Sequence, residues 1–314
     1  KPAIRNGKWY FKASSADIRT KRQVIDANKH LYPISAMCRI LGLSRQSYYY
    51  QSKPKKDESE LEEVVAEEFI RSRKAYGSRK IKKALSKRGI RISRRKISRI
   101  MKNRGLKSSY TVAYFKVHHS TCNEAKTTNV LNRKFLRDNP LEAIVTDLTY
   151  IRVGKKWNYI CFILDLFNRE ILGYSCGEHK DAVLVKKAFS RIKQPLTEVE
   201  IFHTDRGKEF DNQAIDELLT TFDINRSLSH KGCPFDNAVA ESTYKSLKVE
   251  FVYQYTFETL QQLDLELFDY VNWWNHLRLH GTLGYETPVG YRNQRLAQRI
   301  LDNELGCANA SEAV

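Results

Sequence analysis

The chain has 314 residues, a formal net charge of +18, a pI near 9.6 and 41% apolar residues. That length suits two or three domains with real cores, and that charge points to a polyanionic partner. The six cysteines, Cys38, Cys122, Cys161, Cys176, Cys233 and Cys307, are scattered with no CxxC pair, and the most apolar run, YICFILDLF, is short and carries Asp165, so neither a disulfide framework nor a membrane span is expected and a reducing cytoplasm is.

The chain opens on Lys1 rather than Met, as expected of a truncated chain or of a part of a frameshifted fusion. Residues 1–53 read as an N-terminal arm and a small helix-turn-helix. Lys1 to Arg19 is basic and aromatic without a clear period, Lys21 to Lys29 suits a helix, and ISAMCRILGLSRQSYYYQ has a helix, a turn at Gly42-Leu43 and Ser44 as the N-cap of a second helix. Such a unit commonly reads DNA, and Arg45, which opens its second helix, is counted among the DNA-contacting residues. Pro54 and the KPKKDESE switch mark a boundary.

Residues 57–108 read as a second, strongly basic helix-turn-helix domain. Asp57 to Glu68 holds seven acids and no base, with Leu61, Val64, Val65 and Phe69 at helical spacing, which predicts a helix packed on basic neighbours. Between Arg71 and Tyr110 the balance inverts, to 17 Lys and Arg and no acid. Ile81, Ala84 and Leu85 form an inward face, Gly89 the turn, Ser93 a cap, Ile97, Ile100 and Met101 a second inward face, and Gly105 the stop. Arg95, Arg99 and Lys102 fall at i, i+4 and i+7, a single-sign stripe on the outer side; an ordinary solvated face mixes signs, whereas phosphate contact or major-groove entry needs one. Residues 109–138 are polar and read as a linker.

Residues 139–254 read as an α/β domain. Strands are predicted over Ala143–Val153, Trp157–Leu166 and Ile171–Gly177, with turn chemistry at Gly154-Lys155 and Asn168-Arg169. Helix Asp181–Lys193, strand Val199–His203, helix Asp211–Thr221 and a short strand Arg226–Leu228 follow. Asp147 stands in mid-strand, where a carboxylate is unfavourable unless something binds it. Asp205 follows IFHT at a strand end, and Glu241 lies on a helical segment after 35 intervening residues. Three carboxylates on two strands and a helix suit hard divalent cations, which take oxygen ligands. Asn237, Glu241 and Lys248 share one helix face, so Lys248 can reach a phosphate while Glu241 reaches metal. His203, Lys208, Glu209, His230 and Asp236 are lesser candidates, with Glu209 a supporting group for Asp205; Asp236 and Glu250 stand in reserve for Glu241, and Asp165 and Cys233 are expected to be structural. Residues 255–295 hold a long amphipathic helix after the cap Thr259, with Leu260, Leu263, Leu267, Tyr270 and Trp274 as its apolar stripe; Arg278 and His280 beyond it suit either DNA contact or the core. A frayed tail is expected over 296–314.

The D…D(35)E spacing, Lys248 seven residues after Glu241, and the phrases TDLTYI, LDLFNREILGY, HTDRGKEF, HKGCPFDNAVAES and WNHLRLHGTLGYETPVGY resemble the DDE transposases and retroviral integrases, and among them the second-frame (OrfB) transposases of the IS-three group of bacterial insertion sequences. The likeness runs from about Tyr32 to Arg292. It implies an RNase H-like, retroviral-integrase-like α/β core behind all-α helix-turn-helix DNA-binding domains. It also implies Asp147, Asp205 and Glu241 as catalytic ligands of two Mg²⁺ or Mn²⁺ ions, with cleavage of one strand at the element end followed by strand transfer. Expected partners are the terminal inverted repeats, target DNA, further copies of the chain on DNA and a first-frame (OrfA) product, in a bacterial nucleoid. Retroviral integrases carry a zinc module, but His118, His119 and Cys122 lack the paired cysteines and zinc is not expected; nor is a nucleotide, since no P-loop motif is present. Two other readings share these residues: a structure-selective nuclease on the same fold, and a catalytically inactive DNA-binding regulator.

Overall fold

The computed structural model describes residues 15–50, 58–111, 130–230 and 234–311, and the chain divides into two compact units, 1–58 and 59–314. The arm before residue 15, the Pro54 boundary, His118, His119, Cys122, Cys233 and most of the expected linker lie outside the described residues.

The first unit holds α1 (Ile18–Asn28), α2 (Ile34–Ile40) and α3 (Arg45–Tyr49) around Ile25, Met37, Cys38, Leu41 and Leu43. Asp17 and Ser44 cap α1 and α3, accepting from the Thr20 and Ser47 amides at 2.9 Å each. Gly42, at φ +59°, turns the chain between α2 and α3 in the left-handed region that a side chain resists.

The second unit begins with three helices, α4 (Ser59–Arg71), α5 (Ser78–Lys87) and α6 (Arg94–Asn103). The predicted inward faces are buried, and Ser93 caps α6, accepting from the Lys96 amide at 3.2 Å. The acidic helix α4 reaches the C-terminal ends of both basic helices: Glu68 meets Arg88 at 3.3 Å and Glu63 meets Arg104 at 2.8 Å. Each arginine also sits where its helix dipole is negative.

A five-stranded sheet of β1 (Ala143–Val153), β2 (Lys156–Asp165), β3 (Ile171–Gly177), β4 (Ile201–Thr204) and β5 (Asn225–Leu228) follows, in spatial order β3-β2-β1-β4-β5. β1, β2 and β3 form the expected antiparallel meander, and β4 and β5 add in parallel. Helices α7 (Ala182–Phe189) and α8 (Gln213–Thr221) cover one face, where Ile144, Cys161 and Ile163 point. Helices α9 (Ala238–Leu247) and α10 (Leu260–His276) cover the other, with Val145, Ile151, Ile160 and Phe162. This is the RNase H-like order of the expected fold. Helix α7 stops at Phe189, short of the expected Lys193, and the expected tail from 296 is instead part of α11 (Pro288–Ser311). Proline at the first helical position and a run rich in Arg, Gln, Leu and Ala outweigh the polar composition that suggested fraying.

Beyond Leu247 the helix loosens into a π turn, Lys248–Val252, which sends Glu250 fully inward. Its carboxylate receives Arg278 through Nε at 2.9 Å and Nη2 at 2.8 Å, Tyr270 at 3.0 Å, and the Tyr110 hydroxyl from the short 3₁₀ turn after the basic helices. Arg278 and His280 are 6% exposed each, so the core reading holds for both and DNA contact does not. Tyr76, between α4 and α5, donates toward the Leu277 carbonyl at 3.4 Å and accepts from the Leu279 amide at 2.6 Å. Removing one partner of a buried ion pair leaves the other charge desolvated, at a cost of about 3–5 kcal/mol. Arg278→Met is therefore expected to lower the urea midpoint by that stability and to loosen the helix-turn-helix domain from the sheet, read as faster proteolysis in the segment around Ser108.

Candidate active site

The parallel register pairs Ala143 with Ile201 and Val145 with His203. Two residues beyond this last pair stand Asp147, still on β1, and Asp205, the first residue after β4. Asp147 belongs to the odd-numbered positions of β1 that face α9. Helix α9 is docked on that face by Tyr244: its hydroxyl donates to the Asp147 carbonyl and accepts from the Phe162 amide at 2.6 Å, and its ring stacks on Phe162 at 5.5 Å. Glu241 stands three residues earlier, nearly one turn, and is carried toward the same end of β1.

The charges of Asp205 and Glu241 both reach Asp147. Burial, then the charges of Asp205 and Glu241, push the Asp147 carboxyl up to about 7 against hydrogen bonding from the Leu148 amide and the opposing charge of Lys180. Burial also raises Glu241. Asp205 is held by its own loop, accepting from the Gly207 amide at 2.9 Å. As the side chains lie, no three of the described His, Cys, Asp and Glu residues close around one point. The donor set nonetheless fits a hard cation: three carboxylate groups, each with an oxygen to present, around an Asp147 whose burial and acidic neighbours raise it.

The lesser candidates are spoken for. His203 is buried, with its ring between the Ser227 hydroxyl at 2.8 Å and the Asp236 carbonyl at 3.0 Å, and burial depresses it to about 4. Asp236 is fully buried and, against its own burial, is held well below the carboxylate range by Arg133 at 2.6 Å and His230 at 2.7 Å. Asp236 and Glu250 therefore serve the core, and neither is free to replace Glu241. Asp165 caps its turn, accepting from Phe167 at 2.8 Å and Leu141 at 3.0 Å. Asn237 is 5% exposed and donates to the Thr146 carbonyl at 3.5 Å, so it positions the start of α9; its buried position leaves no face for DNA as the side chains lie. Lys248 lies with its ammonium 5.0 Å from the Tyr150 ring centre. Arg95, Arg99, Lys102 and, in the first unit, Arg45 are all exposed.

Two site neighbours escaped the sequence pattern. Tyr244 reads as an ordinary core aromatic. Lys180, in the turn between β3 and α7, has no motif around it, yet its ammonium meets Glu209 at 2.7 Å.

Integrase core domains match residues 137–234 and 241–296, and an HTH-like domain matches residues 55–114. InsK of insertion sequence element IS150 from Escherichia coli strain K12 is 28% identical over 284 residues, 88% of this chain and 100% of its own length. The transposase InsF of insertion sequence IS3A from the same strain is 27% identical over 285 residues, 87% of this chain and 98% of its own. The catalytic core domain of HTLV-2 integrase, in complex with magnesium, is 18% identical and covers 49% of this chain and 97% of its own, with a TM-score of 0.39.

The raised Asp147 carboxyl makes stability depend on pH. A folded value of about 7 against an ordinary 3.8 favours the folded state while the acid is protonated; that contribution is full below about pH 4 and is lost as pH rises through 7. In EDTA, Asp147→Asn is expected to melt higher than the unsubstituted protein at about pH 8 and to lose that advantage at about pH 4. Thermal unfolding across this range is the check.

Proposed function

We propose, from the integrase core and HTH-like domain that this chain shares with insertion-sequence transposases, that it is a DNA transposase cleaving and joining strands at element ends by metal-dependent phosphoryl transfer. The observation that supports the reading is the placement of three carboxylates 57 and 35 intervening residues apart in the chain, Asp147 on β1, Asp205 just after the neighbouring β4 and Glu241 on the helix clamped to β1, with the charges of Asp205 and Glu241 both acting on the buried Asp147.

Asp147, Asp205 and Glu241 would hold two Mg²⁺ or Mn²⁺ ions. When bound, such ions lower the pKa of a water or 3′-hydroxyl nucleophile and stabilise charge on the leaving oxygen. The protein's own contribution is position. β1 and β4 fix two carboxylates by strand register, and Tyr244 fixes the helix that carries the third. Lys248, two turns beyond Glu241, offers a cation to the DNA backbone next to the reacting phosphate. The outer stripe Arg95, Arg99 and Lys102, with Arg45 of the first unit, takes element-end DNA. The buried Glu250–Arg278 pair holds the basic helices against the sheet, so DNA gripped by one is presented to the other. Several copies of the chain on two element ends, with a first-frame partner, complete the assembly in this reading.

Two outcomes test it. Glu241→Gln is nearly isosteric and leaves the helix intact, but the amide is a poorer ligand for a hard cation. Binding to labelled end DNA is expected to persist while nicking and joining fall by orders of magnitude, as several kcal/mol of charge stabilisation is lost. Joining at near the unsubstituted rate would remove Glu241 from the site. Separately, changing Arg95, Arg99 and Lys102 to Gln is expected to lower the slope of log affinity against log salt by about 0.9 for every DNA phosphate that is no longer neutralised. An unchanged slope would make the stripe a solvated face.

A further inference from the structure

We propose that Lys180, held by Glu209 beside the Asp205 loop, is a second phosphate-gripping cation of this site; the inference rests on the reading of Asp147, Asp205 and Glu241 given above.

Glu209 is 6% exposed, a level at which a carboxylate needs a partner. Its partner is Lys180 at 2.7 Å, whose side chain keeps 47% of its surface open to solvent. The pair is therefore one-sided: a sunken anion and a cation at the rim. An ammonium has three donors and Glu209 engages one, which leaves donors directed outward. The loop that carries Glu209 is the loop that carries Asp205. Gly207 donates its amide to Asp205, and the Glu209 carboxylate lies so close over Gly207 that a Cβ there would run into it. Asp205, Gly207, Glu209 and Lys180 thus form one connected rim. The charges of Asp147 and Asp205 both act on Lys180.

The chemistry of that position is specific. A lysine beside a divalent-cation site cannot be a ligand, since its ammonium has no lone pair, and it opposes metal charge. It gains most from a group that is itself anionic and lies over the metals, which for this reaction is a phosphate of the strand being cut or joined. Glu209 is the resting partner of the ammonium, for which a DNA phosphate competes, and Lys180 is the binding group.

A purely structural ion pair and a phosphate grip differ in one respect. If the pair only supports the loop, removing either partner has the same effect. If Lys180 grips phosphate, removing the cation and removing the anion act in opposite directions on DNA binding. The experiment uses the full chain and a labelled duplex containing the element end, read from the DNA that flanks the gene. Binding is measured against salt without divalent ions, and joining is measured with Mg²⁺. Lys180→Ala is expected to flatten the salt slope by about 0.9 and to reduce joining roughly tenfold or more. Lys180→Arg is expected to restore the slope. Glu209→Gln is expected to bind at least as tightly as the unsubstituted protein with the slope unchanged, because an anion is removed and the cation stays. Equal losses in Lys180→Ala and Glu209→Gln would overturn the inference, as would a Lys180→Ala protein that binds and joins normally while Asp205→Asn does not join; that second result leaves the carboxylate reading intact. Normal joining by both Lys180→Ala and Asp205→Asn would overturn the two together.

Discussion

The Glu250 carboxylate is buried completely, and segments from three parts of the second unit converge on it. Its donors come from Tyr110 after the basic helices, Tyr270 on α10, and Arg278 beyond α10, while the π turn that presents it continues the helix bearing Glu241. Taking an anion and a guanidinium out of water costs several kcal/mol each, so the pair adds little net stability and instead selects one arrangement, because any other leaves a desolvated charge. The guanidinium also lies 4.2 Å from the Trp274 ring centre, which shields the pair from water. Here the arrangement selected is the seating of a DNA-gripping domain against a catalytic sheet.

The carboxylate edge works on the opposite principle. Strand register and the Tyr244 clamp bury Asp147 within reach of the charges of Asp205 and Glu241, and the penalty appears as an Asp147 that holds its proton to about neutral pH. Two cations stand near these acids: Lys180, paired with Glu209, and Lys248, over the Tyr150 ring.

Much of this was legible in the chain itself. The meander was readable because β1 to β3 are long apolar runs divided by turn residues, and because Gly154 and Arg169 adopt the left-handed backbone their turns need. Asp147 and Asp205 stood out because a carboxylate next to an apolar run is anomalous, and Glu241 because its spacing completed the set. The basic stripe was visible because acids are absent around it. What stayed hidden were pairings between distant segments. Nothing local marks Glu250 as a core anion rather than a spare ligand, since its partner Arg278 lies 28 residues on and another lies 140 residues back. Asn237 carried the right helical phase for the site, but its phase could not reveal that α9 begins buried against Thr146. Lys180 and Glu209 come from different turns, and their meeting depends on how β3 and β4 are placed in the sheet. Helical reach past residue 296 was missed because composition reports solvation more directly than backbone propensity.

Whether Asp147, Asp205 and Glu241 hold a divalent cation before any DNA arrives is tested, without an activity assay, by calorimetric titration of Mn²⁺ into the full chain near neutral pH. Saturable binding with proton release is expected, since Asp147 must ionise to become a ligand; Asp205→Asn is expected to weaken binding sharply and Asp147→Asn to abolish the proton release, as a site built from these carboxylates requires. Mn²⁺ binding of the same affinity and proton release in the Asp147→Asn, Asp205→Asn and unsubstituted proteins would contradict it.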